Sequence, residues 1–267
     1  MPSENTQRLE GGRRVRGEIR AERPMVSIII VLFRDRKECI RLLENILAFD
    51  RREFELVVID GGSQDGTVEV LQQWDDKIDY WLSEPDSGIY DAMNKGIAAA
   101  HGEYVLHINA GDRLRKIPLQ ELEECMAEKI DLASFAVDME RFGIHRPRPN
   151  PFMSRFSMTC HHQGAFYRRE GHMGYDTQYS IAADFDLNQR MMIAGKSIRC
   201  FHIIVSEMGT GGVSSTRLTY RENYRVIRRN FGLPYVWIAF VWFRVSRIIP
   251  PLKRVQESMK SLLHRAK

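Results

Sequence analysis

Aspartates follow three apolar segments of the sequence at the points where strands would end. Asp60 follows the run Leu56–Ile59 and opens a glycine-rich turn that contains Gly62. Asp86 lies in the next polar turn, and Asp112 follows a later apolar run. Open α/β sheets bind ligands outside the carboxyl ends of their strands, and glycine lets the backbone approach a ligand closely. The three turns therefore predict one site for a nucleotide and a divalent metal.

The chemistry of these carboxylates assigns them different roles. A hard cation prefers carboxylate oxygens, and a metal bound to a nucleoside diphosphate takes only one or two from the protein. We therefore expect Asp112 to bind Mg²⁺ or Mn²⁺. Asp60 and Asp86 could accept hydrogen bonds from a base N–H or a ribose hydroxyl. The alternative for Asp60 and Asp86 is that each caps its turn, and the alternative for Asp112 is that it caps the next helix.

Polar residues near a predicted helix start form a second group of candidates. Asp91 and Asn94 lie where backbone N–H groups and the helix dipole favour anions. Asn109 belongs to the Asp112 turn and is a further candidate for donor binding.

The second half of the chain supplies the remaining candidates. His162 and Gln163 are predicted to hydrogen-bond the acceptor or the diphosphate, and the alternative is a structural histidine. Asp184 opens a later predicted helix and is a candidate general base, which must reach the proton that it removes. As an N-cap, Asp184 would need no catalytic function.

Alternating strands and helices must position these side chains. Apolar runs predict strands, and helical spacing or glycine stops predict helices. The predicted strands of the first half are Val26–Phe33, Phe54–Asp60, Asp79–Ser83 and Tyr104–Ile108, and its helices are Glu38–Phe49, one from near Asp65, and Ile89–Ala100. This order predicts an α/β fold with a Rossmann-like, mostly parallel central sheet and helices on both faces.

The pattern is less regular after residue 115. It predicts helices Leu119–Glu128 and Ile181–Ala194, the latter with Leu187, Met191 and Ile193 inward, and strands Asp131–Val137, His161–Tyr167 and Ser197–Glu207. Gly209–Ser215 is predicted to be a loop, either a lid that orders over the ligand or an ordinary connection.

Composition limits the class of protein. The chain has 267 residues, of which 43% are hydrophobic and 28% charged, with a net charge of +4, as expected for an ordinary globular protein with no nucleic acid partner. Its four cysteines contain no CxxC pair, which argues against a zinc knuckle or a disulfide framework. We expect a reducing, cytoplasmic location.

The two ends differ from the middle. Residues 1–24 are polar and arginine-rich without the apolar segment of a signal peptide, and we expect a disordered tail. Residues 216–267 are predicted to form amphipathic helices. The aromatic run Leu233–Phe243 is too short to span a bilayer, and together with the basic residues up to 260 it suits a helix lying in the headgroup region. Packing on the domain, or on a second copy in a homodimer, is the alternative.

Long motifs of the chain resemble the family 2 glycosyltransferases, over roughly residues 25–215. The motifs are Val26-Ser27-Ile28-Ile29-Ile30, Val58 to Thr67, Ser83 to Gly96, Asn109-Ala110-Gly111-Asp112, His162-Gln163 and Ala183-Asp184. The resemblance implies the glycosyltransferase A fold, with a nucleotide-binding half at 25–115 and an acceptor half at 116–215.

The resemblance also implies residue roles. Asp60 and Asp86 would hold the base and ribose, Asp112 would be the remaining member of an Asp-x-Asp-type metal motif, and Asp184 would be the base. The chain departs from the family pattern in that Asn109 and Gly111 replace carboxylates of the metal motif, Ala183 replaces a glutamate, and Arg34 stands where an asparagine often ends the first strand.

The implied function is inverting transfer of a sugar from a nucleotide-diphospho-sugar to a hydroxyl. The acceptor would be a saccharide or a polyprenyl-linked glycan of a cell-surface polysaccharide, and the enzyme would be peripheral on the inner face of the cell membrane. A dehydrogenase is disfavoured because no GxGxxG follows a strand. A nucleotidyltransferase on a similar fold and a non-catalytic sugar-nucleotide binder are the alternatives.

Overall fold

A ten-stranded mixed sheet organises the part of the chain that the computed structural model describes, which is residues 8–18, 23–140, 143–148, 150–209 and 217–245. The strands are β1 (Leu9–Gly11), β2 (Val26–Leu32), β3 (Phe54–Asp60), β4 (Tyr80–Ser83), β5 (Tyr104–Asn109), β6 (Arg113–Leu114), β7 (Leu132–Met139), β8 (Gly143–His145), β9 (Ala165–Arg168) and β10 (Ile198–Met208). The α-helices are α1 (Arg36–Leu47), α2 (Thr67–Gln73), α3 (Ile89–Ala99), α4 (Leu119–Ala127), α5 (Ala183–Ile193) and α6 (Arg217–Phe231), followed by a helical run over 233–245, here α7.

The order of the strands is β1-β4-β3-β2-β5-β9-β7-β10-β6, with β8 beside β7. Strands β4, β3, β2 and β5 are parallel to one another, and so are β7 and β10. Between these two groups, β9 runs antiparallel to both β5 and β7. The predicted α/β fold with a mostly parallel sheet and C-terminal helices is confirmed.

The register of the central strands aligns the predicted site. Every residue of β2 and β3 is buried, because each strand carries apolar side chains on both faces. Leu32 pairs with Asp60, and Val31 pairs with Asn109. The carboxyl ends of β3, β2 and β5 therefore lie side by side at one edge of the sheet.

Helices cover both faces of this sheet, as the alternating pattern predicts. Helices α1, α2 and α4 pack on the face of Ile28 and Ile30. Helices α3, α5, α6 and α7 pack on the face of Ile29 and Val31. None of the helices among the described residues is both long and apolar enough to cross a membrane.

The N-terminal segment differs from the disordered tail predicted for residues 1–24. Strand β1 pairs antiparallel with β4, and the backbone N–H groups of Arg13 and Arg14 donate to the carbonyls of Ile78 and Asp79 at 2.9 and 3.0 Å. Polarity alone predicts disorder for this segment. The unpaired edge of β4, however, offers backbone hydrogen bonds to any nearby strand. Residues 1–7 and 19–22 lie outside the described residues.

Two smaller predictions are also corrected. Ile193 was expected to face inward but is 55% exposed, because α5 ends there and its buried stripe ends with Met191. The predicted strand His161–Tyr167 begins instead with a 3₁₀ turn over His162–Gly164, and only Ala165–Arg168 is strand. Most of the predicted loop Gly209–Ser215 lies outside the described residues.

Candidate active site

The Asp60 carboxylate organises the turn between β3 and α2. It is fully buried, and it accepts hydrogen bonds from the backbone N–H groups of Gly62 at 3.1 Å and Ser63 at 2.8 Å. The hydroxyls of Ser63 and of Ser83, at 2.6 Å, donate to the same carboxylate. These contacts hold the end of β3 against the end of β4. They are the turn-capping contacts that the sequence offered as the alternative role for Asp60.

Asp86 lies over this turn beside an exposed aromatic ring. A Cβ on Gly61 would lie 2.6 Å from Asp86 Oδ2 and 3.0 Å from the Phe33 ring, so the carboxylate and the ring meet above a bare backbone. Phe33 is 59% exposed, and the Arg34 guanidinium lies 5.0 Å from its centroid. Burial raises the pKa of Asp86. The open ring and carboxylate together suit a flat, polar-edged ligand such as a nucleobase.

Gly62, a predicted nucleotide-binding residue, lies in the same turn. Its φ of +80° is one that residues with side chains rarely adopt, and a Cβ there would lie 3.2 Å from the Pro85 nitrogen. Glycine at this position lets the β3 turn lie against the Asp86 turn.

A hydrogen-bonded chain joins four of the predicted residues across the middle of the sheet. The Asp184 Oδ2 atom lies 3.1 Å from His162 Nδ1, and His162 Nε2 lies 2.9 Å from Asn109 Nδ2. The backbone N–H of Asn109 donates to Asp112 Oδ2 at 3.2 Å. The Gln163 side chain also hydrogen-bonds Asp112. The residues come from β5 and the turn after it, from the 3₁₀ turn and from α5, so the fold brings together positions that are 75 residues apart in the chain (109 to 184).

Electrostatics couple the members of this chain. Burial lowers the pKa of His162, but the hydrogen bond and charge of Asp184 and the charge of Asp112 outweigh burial and raise it overall. Burial raises the pKa of Asp112, against the opposing effect of the nearby imidazole. The two carboxylates therefore stabilise the charged form of the His162 imidazole, whereas in its neutral form Nε2 accepts a hydrogen bond from Asn109 Nδ2.

Tyr90 orients the candidate base and was not singled out from the sequence. Its hydroxyl donates to the Ile181 carbonyl at 2.6 Å and lies 3.4 Å from Asp184 Oδ1, which also accepts the Phe185 backbone N–H at 2.7 Å. Tyr90 is buried and comes from the first turn of α3. Its place in the motif Gly88-Ile89-Tyr90-Asp91 was the available signal, but nothing local links that turn to Asp184.

Asp91 and Asn94 are held in other contacts. Asp91 accepts the Ser87 backbone N–H at 3.0 Å and lies 3.7 Å from Lys95. The Asn94 amide donates to the Tyr175 carbonyl and accepts the Tyr175 N–H, both at 2.8 Å. The described contacts do not join either residue to the His162–Asp184 chain, and their donor-binding roles stay predictions.

The oxygens around Asp112 suit a divalent cation. Asn109 Oδ1 and Gln163 Oε1 are buried without a hydrogen-bond partner in the structure, and both belong to residues that bond Asp112 or its turn. Within the described residues no group of three or more His, Cys, Asp or Glu side chains could hold a metal by itself. The donor set thus fits a cation that takes most of its ligands from a bound diphosphate.

A cavity of about 230 Å³ borders α5, the helix that carries Asp184. Phe185 and Asn188 of α5 line it, one turn or less from Asp184, and Asn188 Nδ2 donates to the Cys160 carbonyl at 3.0 Å. Arg148 and Lys196 supply cationic groups, and Cys160 and Cys200, which are far apart in the sequence, both line the same wall. This mixed lining is typical of a site for a polar ligand with an apolar part.

Known proteins are similar in sequence to this chain over most of its length. An uncharacterized glycosyltransferase of Mycobacterium tuberculosis is 34% identical over 210 residues, which cover 73% of this chain and 78% of that protein. A PGL/p-HBAD biosynthesis glycosyltransferase of Mycobacterium bovis is 29% identical over 72% of this chain and 80% of its own length.

Solved structures share the fold at lower identity. S. aureus TarS 1–349 in complex with UDP-GlcNAc superposes with a TM-score of 0.58 at 18% identity, covering 76% of this chain and 64% of that one. The mannosyltransferase PcManGT from Pyrobaculum calidifontis in complex with GDP-Man and Mn²⁺ gives 0.58 at 18% identity, over 82% and 68%. The model of glycosyl transferase family 2 matches residues 27–190, more than half of the chain. The chain belongs to glycosyl transferase family 2.

Proposed function

We propose that this glycosyltransferase moves a sugar from a nucleotide-diphospho-sugar to a hydroxyl acceptor with inversion at the anomeric carbon, and that Asp184 is the base. The observation that carries the proposal is the hydrogen-bonded chain from Asp184 through His162 and Asn109 to Asp112. It connects a carboxylate on the acceptor side with a carboxylate at the carboxyl end of β5.

The donor lies across the ends of β3, β2 and β5 in this proposal. Its base stacks on Phe33 and its ribose meets Asp86, while Asp60 keeps the supporting turn in shape. Gly62 lets the backbone approach the nucleotide. Support comes from the exposure of the ring and from the bare backbone of Gly61 beneath it.

A divalent cation completes the donor site. Asp112 would hold Mg²⁺ or Mn²⁺, with Asn109 Oδ1 and Gln163 Oε1 as further candidate oxygens, and the cation would neutralise charge that develops on the departing diphosphate. The Mn²⁺ in the Pyrobaculum calidifontis complex supports a metal-dependent reaction.

Asp184 takes the proton of the acceptor hydroxyl as that oxygen attacks the sugar from the face opposite the diphosphate. One such displacement inverts the anomeric configuration, as in inverting hydrolases with a hydroxyl in place of water. His162 holds one carboxylate oxygen and Tyr90 lies beside the other, so the base keeps its orientation during the reaction. His162 also lies between the base and the diphosphate end of the site, where its positive charge would favour the leaving group.

The acceptor is a saccharide or a polyprenyl-linked glycan under construction. The cavity beside Asn188 suits a ligand of mixed polarity, and the Mycobacterium bovis relative is named for PGL/p-HBAD biosynthesis. In this proposal residues 25–115 form the donor region and residues 116–215 the acceptor region. Residues 233–260 contact the inner face of the cell membrane peripherally. The alternative is that the C-terminal helices form a homodimer. Residues 246–260 lie outside the described residues.

Release of nucleoside diphosphate from UDP- and GDP-sugars, with Mn²⁺ and a membrane extract as acceptor, tests this proposal. We expect acceptor-dependent release that a chelator suppresses. The departure of Asn109 and Gly111 from the metal motif favours a non-catalytic sugar-nucleotide binder as the second candidate. Binding of the donor without any release would support that candidate. Consumption of added pyrophosphate, with formation of nucleoside triphosphate and sugar 1-phosphate, would indicate a nucleotidyltransferase.

A further inference from the structure

Helix α7 exposes an apolar face that the rest of the described chain does not cover. Its inward side is fixed, because Ala239 is buried and Phe243 packs against the core. Its outward side is formed by Leu233, Trp237, Ile238, Val241 and Val245. Trp237 is 68% exposed, an unusual position for the largest apolar side chain of a globular protein.

An arginine stripe on α6 borders this face. Tyr220 and Tyr224 of α6 contact the Phe243 ring of α7, with centroids 5.6 and 5.9 Å apart. Arg221, Arg225 and Arg228 follow on the next stripe of the same helix, at the spacing that puts side chains on one face, and all three are exposed. The cationic and the apolar surfaces are therefore continuous.

The charge of this surface selects its partner. Residues 217–245 contain six arginines and a single carboxylate, Glu222, which is only 4% exposed. A second copy docked here would bring like charges together, whereas a bilayer with anionic headgroups offers both the opposite charge and an apolar layer. Arg244, 4.5 Å from the Phe240 centroid, adds a cation over an aromatic ring at the same surface.

Glu222 connects this surface to the candidate base. Its carboxylate accepts the backbone N–H groups of Ser180, Ile181 and Ala182 at 3.0, 2.8 and 3.0 Å, and Asp184 lies two residues after that segment. A partner that binds the outer face of α6 would therefore lie next to the acceptor side of the proposed site.

We propose that the exposed faces of α6 and α7 dock on a bilayer that contains anionic phospholipid, with Trp237 and Val241 in the interface and Arg221 and Arg228 at the headgroups. The inference that docking serves a lipid-linked acceptor rests on the proposed function. The docking itself does not, and it is measured without nucleotide sugar.

Co-sedimentation of the full chain with phosphatidylcholine vesicles, with and without phosphatidylglycerol, tests the docking. We expect binding that requires phosphatidylglycerol and that salt weakens. Trp237→Glu should lower the partition coefficient about tenfold or more, since it places a carboxylate at an apolar, anionic surface. Arg221→Ala and Arg228→Ala should each lower it roughly fivefold, and only for anionic vesicles.

Met126→Glu is the matched control, because Met126 is an exposed apolar residue of α4 on the other face of the sheet. It should bind vesicles like the unaltered chain, and circular dichroism should show each variant folded. Equal binding of the Trp237→Glu, Arg221→Ala and Arg228→Ala variants and the unaltered chain would overturn the proposal. The proposal would also be overturned if the unaltered chain bound no vesicles and formed a dimer that Trp237→Glu converted into a monomer.

Discussion

At the scale of single residues, the candidate site contains both open polar side chains, such as Asp86, and side chains that hold the backbone, such as Asp60. Asp60 and Asp86 were predicted alike from the sequence, since both are aspartates in polar turns after strands. The structure gives Asp60 four hydrogen bonds inside its own turns and leaves Asp86 half-buried beside Phe33. Burial distinguishes them, and burial depends on residues far away in the chain.

Asp60→Asn should therefore destabilise the fold. The amide nitrogen of asparagine would face N–H and O–H donors, and losing such charge-assisted bonds costs about 3 kcal/mol of unfolding free energy. Asp91→Asn, the same change at a partly exposed carboxylate with one backbone donor, should cost less than about 1 kcal/mol. Urea denaturation of the two variants compares them, and equal stabilities would contradict the role given to Asp60.

The His162 imidazole should titrate above its ordinary pKa of 6.5, because Asp184 and Asp112 favour its charged form. The folded-state pKa is raised, so the ion pair stabilises the protein fully below pH 6.5 and loses that contribution as the pH rises through the raised value. Histidine resonances in NMR spectra, recorded without divalent cation and assigned with His162→Gln, measure it. Asp184→Asn should bring the pKa down, and an unchanged pKa in that variant would exclude the coupling.

At the scale of elements, the local signals of the first half predicted strands and helices closely. Strand β3 has the predicted bounds, and α1 begins after Asp35, whose side chain accepts the Glu38 N–H at 3.1 Å. Continuous apolar runs and glycine stops each extend over only a few residues, so they can be recognised from the sequence alone. Strand β9 was only partly predicted, because its four residues lie between two other strands through long-range pairing.

The same limit applies to the candidate site. Sequence motifs indicated Asn109, Asp112, His162 and Asp184, and the fold brings them together. Tyr90 and Phe33 were not singled out, because the contact of Tyr90 with Asp184 and the exposure of Phe33 arise only when separate elements meet. The strand β1 was missed for a similar reason, since its partner β4 lies 70 residues away.

Helix α3 packs so closely on β2 that Gly96 has no room for a side chain. A Cβ at Gly96 would lie 2.4 Å from Ile29 Cγ2. Gly96→Ala should therefore cost about 1 to 3 kcal/mol of stability through overpacking, although alanine favours helices. Ala98→Gly, on the exposed side of the same helix, should cost only about 0.5 to 1 kcal/mol. Thermal unfolding of both variants decides, and a stabilised Gly96→Ala protein would contradict the packing.

At the scale of the whole molecule, one sheet joins the proposed donor and acceptor regions. Strand β5 carries Asn109, β9 follows the turn of His162 and Gln163, and β10 pairs with β7 beyond them. The site lies where the parallel order is interrupted by the antiparallel β9. The C-terminal helices then extend the acceptor side outward, from Glu222 at the base segment to Trp237 at the surface.

Parallel measurement of sugar transfer and donor binding in the unaltered chain and in Asp184→Asn tests whether Asp184 is the base. We expect the rate of transfer by the variant to fall by about a thousandfold or more, because the general base is missing. Its thermal shift with the donor and Mn²⁺ should be unchanged. His172→Gln changes a histidine that packs against Tyr175 and has no described contact with Asp184, so it serves as the control and should retain transfer. Full transfer by Asp184→Asn would contradict the account.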